Sequence, residues 1–352
     1  MCTGGCPISI KSGLNVRRLV RELAIFKDYS RISEEQLWGC TTCSTCELRC
    51  PKEISPVNVL LTIRSLMVET GKVPPTLRDA LESVYMHGNP WTRARTKRTE
   101  WAEGLSIKHA SEKAEILYFV GCTPAYDTRV QEVARAFAKC LAEAKVDFSI
   151  LGTEENCCGN EIYGMGETGL FELLMEENKK LFDKYGVERI VTTCPHGFNA
   201  LKNMYNGLNA EVIHHTQLLL NLIEERKIKL NKEVNATVIY HDPCFLGKRN
   251  GIFDEPRRLL ESIPGVKLIE FERNKSRSLC CEGGGGRMWF DIPGTRLAEL
   301  RATEAAESGA DIIAVSCPFC LLTITDAVKT TGLEEKIQVL DVAEILLKAI
   351  SK

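Results

Sequence analysis

The chain reads as an α/β protein: a small helical module followed by two α/β lobes that are pseudo-repeats of one another. Three observations predict this. Short apolar runs alternate with helical stretches throughout the second two thirds of the sequence. Cysteines recur there in the same order and spacing twice. The first fifty residues instead hold cysteines at close intervals between short helix-like segments.

The chain has 352 residues, long enough for more than one domain, and a net charge of −2. No basic excess points to nucleic acid, and no apolar run reaches the roughly 18 residues of a membrane span. The opening "MCTGGCPISIKSG" lacks the apolar stretch of a secretory signal. The expectation is a cytoplasmic protein, peripheral on the inner membrane face if a partner holds it there. Sixteen cysteines are the outlier. A disulfide framework suits small secreted chains, which this is not. Scattered core thiols would not fall into motifs; only Cys140, in "ARAFAKCLAEA", reads as one. The remainder read as metal ligands.

Residues 1–71 form the helical module. "CTTCSTCELRCP", Cys40 to Pro51, has the C-x2-C-x2-C-x3-C-P spacing of bacterial ferredoxins. "CTGGCP", Cys2 to Pro7, repeats only its second half. In the cross-ligated arrangement Cys6 joins Cys40, Cys43 and Cys46 around one complete 4Fe-4S cluster. Cys50 and Cys2 then belong to a second cluster that lacks two ligands in this chain. A half-motif running into Met1 from upstream is the reading this spacing favours. "VRRLVRELAIF" and "ISEEQLW" have helical periodicity. "SPVNVLLTIRSLMVET" predicts a helix with Ser55 as N-cap, Pro56 in the first turn and Gly71 as the stop. Residues 72–112 read as a Pro-, Gly- and Arg-rich linker with one short helix, its basic run Arg93 to Arg98 a solvated face.

Six runs beyond residue 112 predict strands: "AEILYFVG", "DFSILG", "ERIVTTC", "ATVIYHD", "VKLIEF" and "DIIAVSC". Their alternation with helices predicts parallel sheets. Residues 113–230 form the first copy, with Cys122, then 34 residues, Cys157-Cys158, then 35 residues, Cys194. Residues 231–352 form the second, with Cys244, 35 residues, Cys280-Cys281, 35 residues, Cys317 and Cys320. "LYFVGC" answers "VIYHDPC", and "IVTTCPHGF" answers "IAVSCPFCL". Each cysteine follows a predicted strand, and ligands in such folds gather at the carboxyl ends of strands. Glycines 283–286 are expected to let the backbone crowd an inorganic cluster; no Gly-Lys-Ser/Thr follows to make a phosphate loop.

The pattern C…CC…C-x-x-C, with "HGNPW", "HDPCFLGKRNG", "CCEGGGGRMW" and "CPFC", resembles the CCG-domain iron-sulfur oxidoreductases. The order of parts is similar to the D-type subunit of heterodisulfide reductase, and "LWGCTTCSTCELRCP" resembles its ferredoxin-like portion. The resemblance implies a non-cubane 4Fe-4S cluster on Cys244, Cys280, Cys281, Cys317 and Cys320, where a disulfide is reduced. It equally implies the alternative of a non-catalytic subunit linking a flavin dehydrogenase to a quinone or membrane carrier. Redox partners follow in either case: a cytochrome b-like membrane subunit or a soluble flavoprotein, with a small thiol/disulfide or quinone-linked substrate. The first copy departs from the pattern, because Gly197 stands where the last cysteine belongs. Cys122, Cys157, Cys158 and Cys194 then suit a cubane, a zinc tetrahedron, an altered cluster with an open iron, or an empty repeat. His196 is a candidate replacement ligand. Lys248, Arg249 and Arg287 are candidates for holding an anionic substrate or offsetting cluster charge, and His241 reads as a structural histidine.

Overall fold

A computed structural model describes residues 2–10, 13–26 and 32–350. Met1, on which the expected upstream half-motif turns, lies outside them. The module is helical as expected. Val16–Phe26 buries Val16 and Leu19 while Arg17 and Arg18 face water. Glu34–Trp38 opens on a capping box between Ser33 and Gln36. Pro56–Glu69 is capped by Ser55, which accepts from Asn58 N, and Gly71 follows in the left-handed region at φ +69°.

The stretch read as a linker is a packed element. Pro75–His87 is a helix of 13 residues, and Arg95–Ala102 is 3-10 helical. The basic run is a solvated face as expected at Arg93, Arg95 and Lys97, but not at Arg98. Arg98 is buried and pairs with buried Glu155 at 2.6 Å, and Arg95 donates to Asn156 Oδ1 at 2.7 Å. Arg98 Nη2 donates to the Glu155 carboxylate and the Asn156 carbonyl while Nε and Nη1 have no hydrogen-bond partner, so the ion pair with Glu155 is what offsets the cost of burial.

Two parallel sheets follow. The first comprises β1 (Lys108–His109), β2 (Ile116–Tyr118), β3 (Phe148–Ile150), β4 (Arg189–Thr192) and β5 (Glu211–His214) in the order β1-β3-β2-β4-β5. The second comprises β6 (Ala236–Tyr240), β7 (Val266–Ile269), β8 (Ile312–Val315) and β9 (Gln338–Asp341) in the order β7-β6-β8-β9. Central strands are continuous apolar runs, such as Ile312–Val315, because helices cover both faces. The sequence reading missed β1, β5 and β9. These are edge strands, two residues long or interrupted by polar side chains, and carry little periodic signal.

The copies match down to single hydrogen bonds. Tyr118 Oη meets Thr193 Oγ1 at 3.4 Å, and its counterpart Tyr240 Oη meets Ser316 Oγ at 2.6 Å. They also share a core. The helix Thr128–Glu143 of the first copy packs on Val342–Ile350 of the second, with Arg129 bidentate to Glu344 and the Cys140 thiol donating to Ala343 O. Cys140 is therefore the core thiol it was read as. In each sheet the strands leading to the cysteines are three neighbours, β3-β2-β4 and β7-β6-β8, so their following loops open onto the same end.

Candidate functional site

In the ferredoxin-like module, Cys6, Cys40, Cys43 and Cys46 lie close enough for their charges to interact mutually. Burial, with the negative charge of Cys40 and Cys43, pushes the Cys6 thiol up to about 12. A cation among these sulfurs would offset that burial and repulsion, since ligand sulfurs must deprotonate to bind metal. Cys2 opens the helix Cys2–Gly5 and Cys50 follows Thr45–Leu48; both are half-buried, and their two helices pack together. The backbone around Cys43 is wound tightly, with Thr42 and Ser44 both left-handed at φ +53° and +58°.

In the second copy the five cysteines form a continuous chain of contacts. Cys280 touches Cys244 and Cys281, Cys281 lies 3.2 Å from Cys320, and Cys320 contacts Cys317. All five are buried. Two loops are fixed by one carboxylate. Asp242 is bidentate with Arg257 and accepts from Lys275 N, so the turn before Cys244 is tied to the one before Cys280. Glu155 does the same in the first copy, accepting from Val120 N, Gly121 N and Arg98. There Cys157 contacts both Cys122 and Cys158, and Cys194 lies near Cys122.

Three features were not foreseen. Cys43 of the helical module lies near Cys280, whose thiol helps draw the Cys43 thiol well below its usual value. The glycines explain how this approach is possible, and their role differs from the one expected. A Cβ on Gly285 would lie 2.5 Å from Cys40 O, and one on Gly284 3.0 Å from Thr41 O. They therefore make room for the ferredoxin-like loop. Gly283 and Gly286 likewise make room for Phe319 and Met165. Lys248 donates to Thr45 Oγ1 and Ser278 O, and Arg249 to Thr42 O, so both cations stitch the same seam. Arg287 donates to Phe290 O and Asp291.

His196 Nδ1 pairs with Glu161 at 2.6 Å, and its ring contacts Cys317 in the other copy. Against the desolvation of burial, Cys320 and His196 bring the Cys317 thiol down to about 6. Glu161 also accepts from Gly286 N, linking the first copy to the glycine loop of the second. His241, read as structural, instead contacts Cys281. The ligand atoms of His241, Cys281 and Cys320 lie within 4.8 Å of one another, and Nδ1 of His241 has no hydrogen-bond partner. Nothing in the local spacing signals either histidine. His196 does break the repeat, since Phe319 occupies its place in the second copy.

A four-thiol helical module docked on two lobes that gather cysteines at strand ends defines an iron-sulfur protein of the ferredoxin-plus-cysteine-rich type. Residues 116–202 and 238–325 each match the cysteine-rich domain family, CCG, and residues 1–54 match the 4Fe-4S dicluster domain. The chain is 36% identical over 332 residues to a probable iron-sulfur-binding oxidoreductase, FadF, of Bacillus subtilis, covering 91% of this chain and 47% of that protein. It is 35% identical to the EtfAB:quinone oxidoreductase of Syntrophomonas wolfei, covering 92% and 48%. It therefore spans about half the length of these two relatives. It is 34% identical to the D-type subunit of the dihydromethanophenazine:CoB–CoM heterodisulfide reductase of Methanosarcina barkeri, covering 94% and 80%. The chain belongs to the family of the D-type heterodisulfide reductase subunits, the CCG-domain iron-sulfur oxidoreductases. Among the described residues no helix is long and apolar enough to cross a membrane.

Proposed function

We propose that electrons pass from a 4Fe-4S cluster on Cys6, Cys40, Cys43 and Cys46 to a non-cubane 4Fe-4S cluster on Cys244, Cys280, Cys281, Cys317 and Cys320, where a small disulfide is reduced. A second ferredoxin-type cluster uses Cys2 and Cys50. The docking of the ferredoxin-like loop on the glycine loop after Cys281, with Lys248 and Arg249 bonded to Thr45 and Thr42 and Cys43 near Cys280, supports this reading, since it brings the two ligand sets side by side. Bound there, such a cluster supplies single-electron steps and soft metal sites for sulfur. Two electrons and two protons convert a disulfide to two thiols. The protein's part is position and wiring: Asp242 and Arg257 hold the loops, Lys248 and Arg249 hold the ferredoxin-like module in place, and His241 donates toward Cys281 as the neutral imidazole that burial favours. Electrons arrive from a soluble flavoprotein or a cytochrome b-like membrane subunit.

A second reading, an electron relay between a flavin dehydrogenase and a quinone, draws support from the likeness to the EtfAB:quinone oxidoreductase and from the ligand missing at position 197. Assay of the anaerobically reconstituted, dithionite-reduced chain against small disulfides decides between them. Turnover lost in Cys281→Ala, together with that variant's loss of one EPR signal and retention of the ferredoxin-type signal, is the expected result. A reconstituted chain with both signals but no disulfide turnover points to the relay, and a Cys281→Ala chain with both signals intact refutes the assignment.

A further inference from the structure

His241 follows directly on β6, three residues before Cys244, and Phe119 takes its place in the first copy. Phe119 is fully buried and meets Phe182 edge-on, with ring centroids 6.2 Å apart. This place in the fold therefore accepts an apolar ring. The second copy instead buries an imidazole whose Nδ1 has no hydrogen-bond partner among the described residues. A buried polar atom without a partner is costly, so a packing role alone would be better served by the phenyl ring.

The repeat also shows what the imidazole goes with. Cys122, Cys157, Cys158 and Cys194 answer Cys244, Cys280, Cys281 and Cys317, so those four are common to the copies. The copies differ together at the two residues that stand with Cys281: Phe119 replaces His241, and Gly197 replaces Cys320. The ligand atoms of His241, Cys281 and Cys320 all lie within 4.8 Å of one another, with the two sulfurs 3.2 Å apart. A tetrahedral ion at about 2.3 Å from sulfur and 2.0 Å from nitrogen sets its ligands about 3.5–3.8 Å apart. The triad thus spans one face of such a tetrahedron and leaves the fourth position to water. Its supports are fixed ones. Asp242, beside His241, is bidentate with Arg257, and Cys320 stands in the first turn of the helix Pro318–Thr330. A cleft of about 380 Å³, with Met288, Trp289 and Leu322 in its walls, reaches Cys281 and gives an ion its way in.

We propose that His241, Cys281 and Cys320 form an entry site, which holds a single divalent metal ion, ferrous iron for assembly, in the chain whose second-copy cluster is not yet built. The entry role rests on the reading that this copy binds iron; the metal site itself does not. Binding is ligand exchange without change of oxidation state. The two thiols lose their protons to solvent, the imidazole offers a lone pair, and the ion sheds water. A permanently ligating histidine is normally held by an acceptor on its other ring nitrogen. Nδ1 of His241 has no such acceptor among the described residues, which suits a ligand that lets go. Once the five cysteines hold the finished centre, His241 turns to donating toward Cys281.

The test uses the full chain, stripped of metal and kept reduced and anaerobic, with Co2+ as the probe. Cobalt in an all-thiolate site carries no imidazole. A hyperfine-shifted N–H proton resonance that vanishes in D2O therefore reports histidine ligation alone. The wild type should show one. It should be lost in His241→Phe and in Cys320→Gly, each of which installs the residue of the first copy. On anaerobic reconstitution with iron and sulfide, His241→Phe should build the second-copy centre several-fold more slowly than the wild type, while its ferredoxin-type EPR signal grows at the wild-type rate. A wild type without the exchangeable resonance overturns the site, whether or not the variants fold. Persistence of the resonance in His241→Phe overturns it as well. Equal assembly rates overturn the entry role. A wild type that shows the resonance yet never builds a second-copy centre refutes the iron reading and upholds the metal site.

Discussion

Arg64 is fully buried on the helix Pro56–Glu69 and has no carboxylate in hydrogen-bonding reach, yet all its charge is directed. It donates to Leu37 O and Cys40 O in the helical module, to Gly164 O in the first copy and to Gly285 O in the second, and lies over the Trp38 ring. Burial lowers its pKa to about 10, so it stays a cation at neutral pH. Replacing it orphans four buried carbonyls, and Arg64→Met should lose about 3–5 kcal/mol of stability in anaerobic chemical denaturation. The cation beside Cys40 also favours the more negative, reduced state of a cluster there. Film voltammetry of Arg64→Met should therefore show that centre's potential shifted to a more negative value. Arg64→Lys keeps the charge with fewer donors, so it should preserve the potential better than the stability. An unchanged potential in Arg64→Met would dissociate the cation from the cluster.

At the scale of elements, the glycine loop is the hinge of the account. Gly285 is left-handed at φ +67°, and a methyl group there would strike Cys40 O. Gly285→Ala should cost about 2–4 kcal/mol through strain and overpacking. It should also slow electron passage between the ferredoxin-type and second-copy centres in rapid-freeze EPR, while a change at exposed Gly309, equally left-handed but with open space around it, should not. These elements also mark how far the sequence could be read. Six of the nine strands, the Ser55 cap and the two cysteine sets were legible because apolar runs, capping residues and ligand spacings are local patterns. The packing role of Gly284 and Gly285 was not foreseen because what crowds them comes from about 240 residues away in the chain, and spacing does not report which surfaces meet. Arg98 was misplaced for the same reason: its partner, Glu155, lies 57 residues on. Of the edge strands, β5 and β9 were missed because polar residues interrupt their period and β1 because it is two residues long, whereas β7 was found.

For the whole molecule, order in the helical module depends on its metal more than order in the lobes does. The lobes bury extensive apolar side chains around both sheets, whereas the module contributes fewer, Cys43 and Cys46 among them, to a cluster it shares with the lobes. Removing iron with an anaerobic chelator should thus raise hydrogen exchange across residues 2–10 and 34–50 first, with Ile312–Val315 and its neighbours protected throughout; uniform loss of protection would contradict this. The central claim is that the ferredoxin-type cluster is seated against the thiols of the second copy. Continuous-wave EPR of the fully reconstituted chain, poised so that both centres are paramagnetic, tests it most directly. Seated side by side, the two centres should give signals broadened or split by spin–spin interaction, which collapse to the isolated ferredoxin-type signal in Cys281→Ala. Two sharp, additive signals from the wild type would contradict the account.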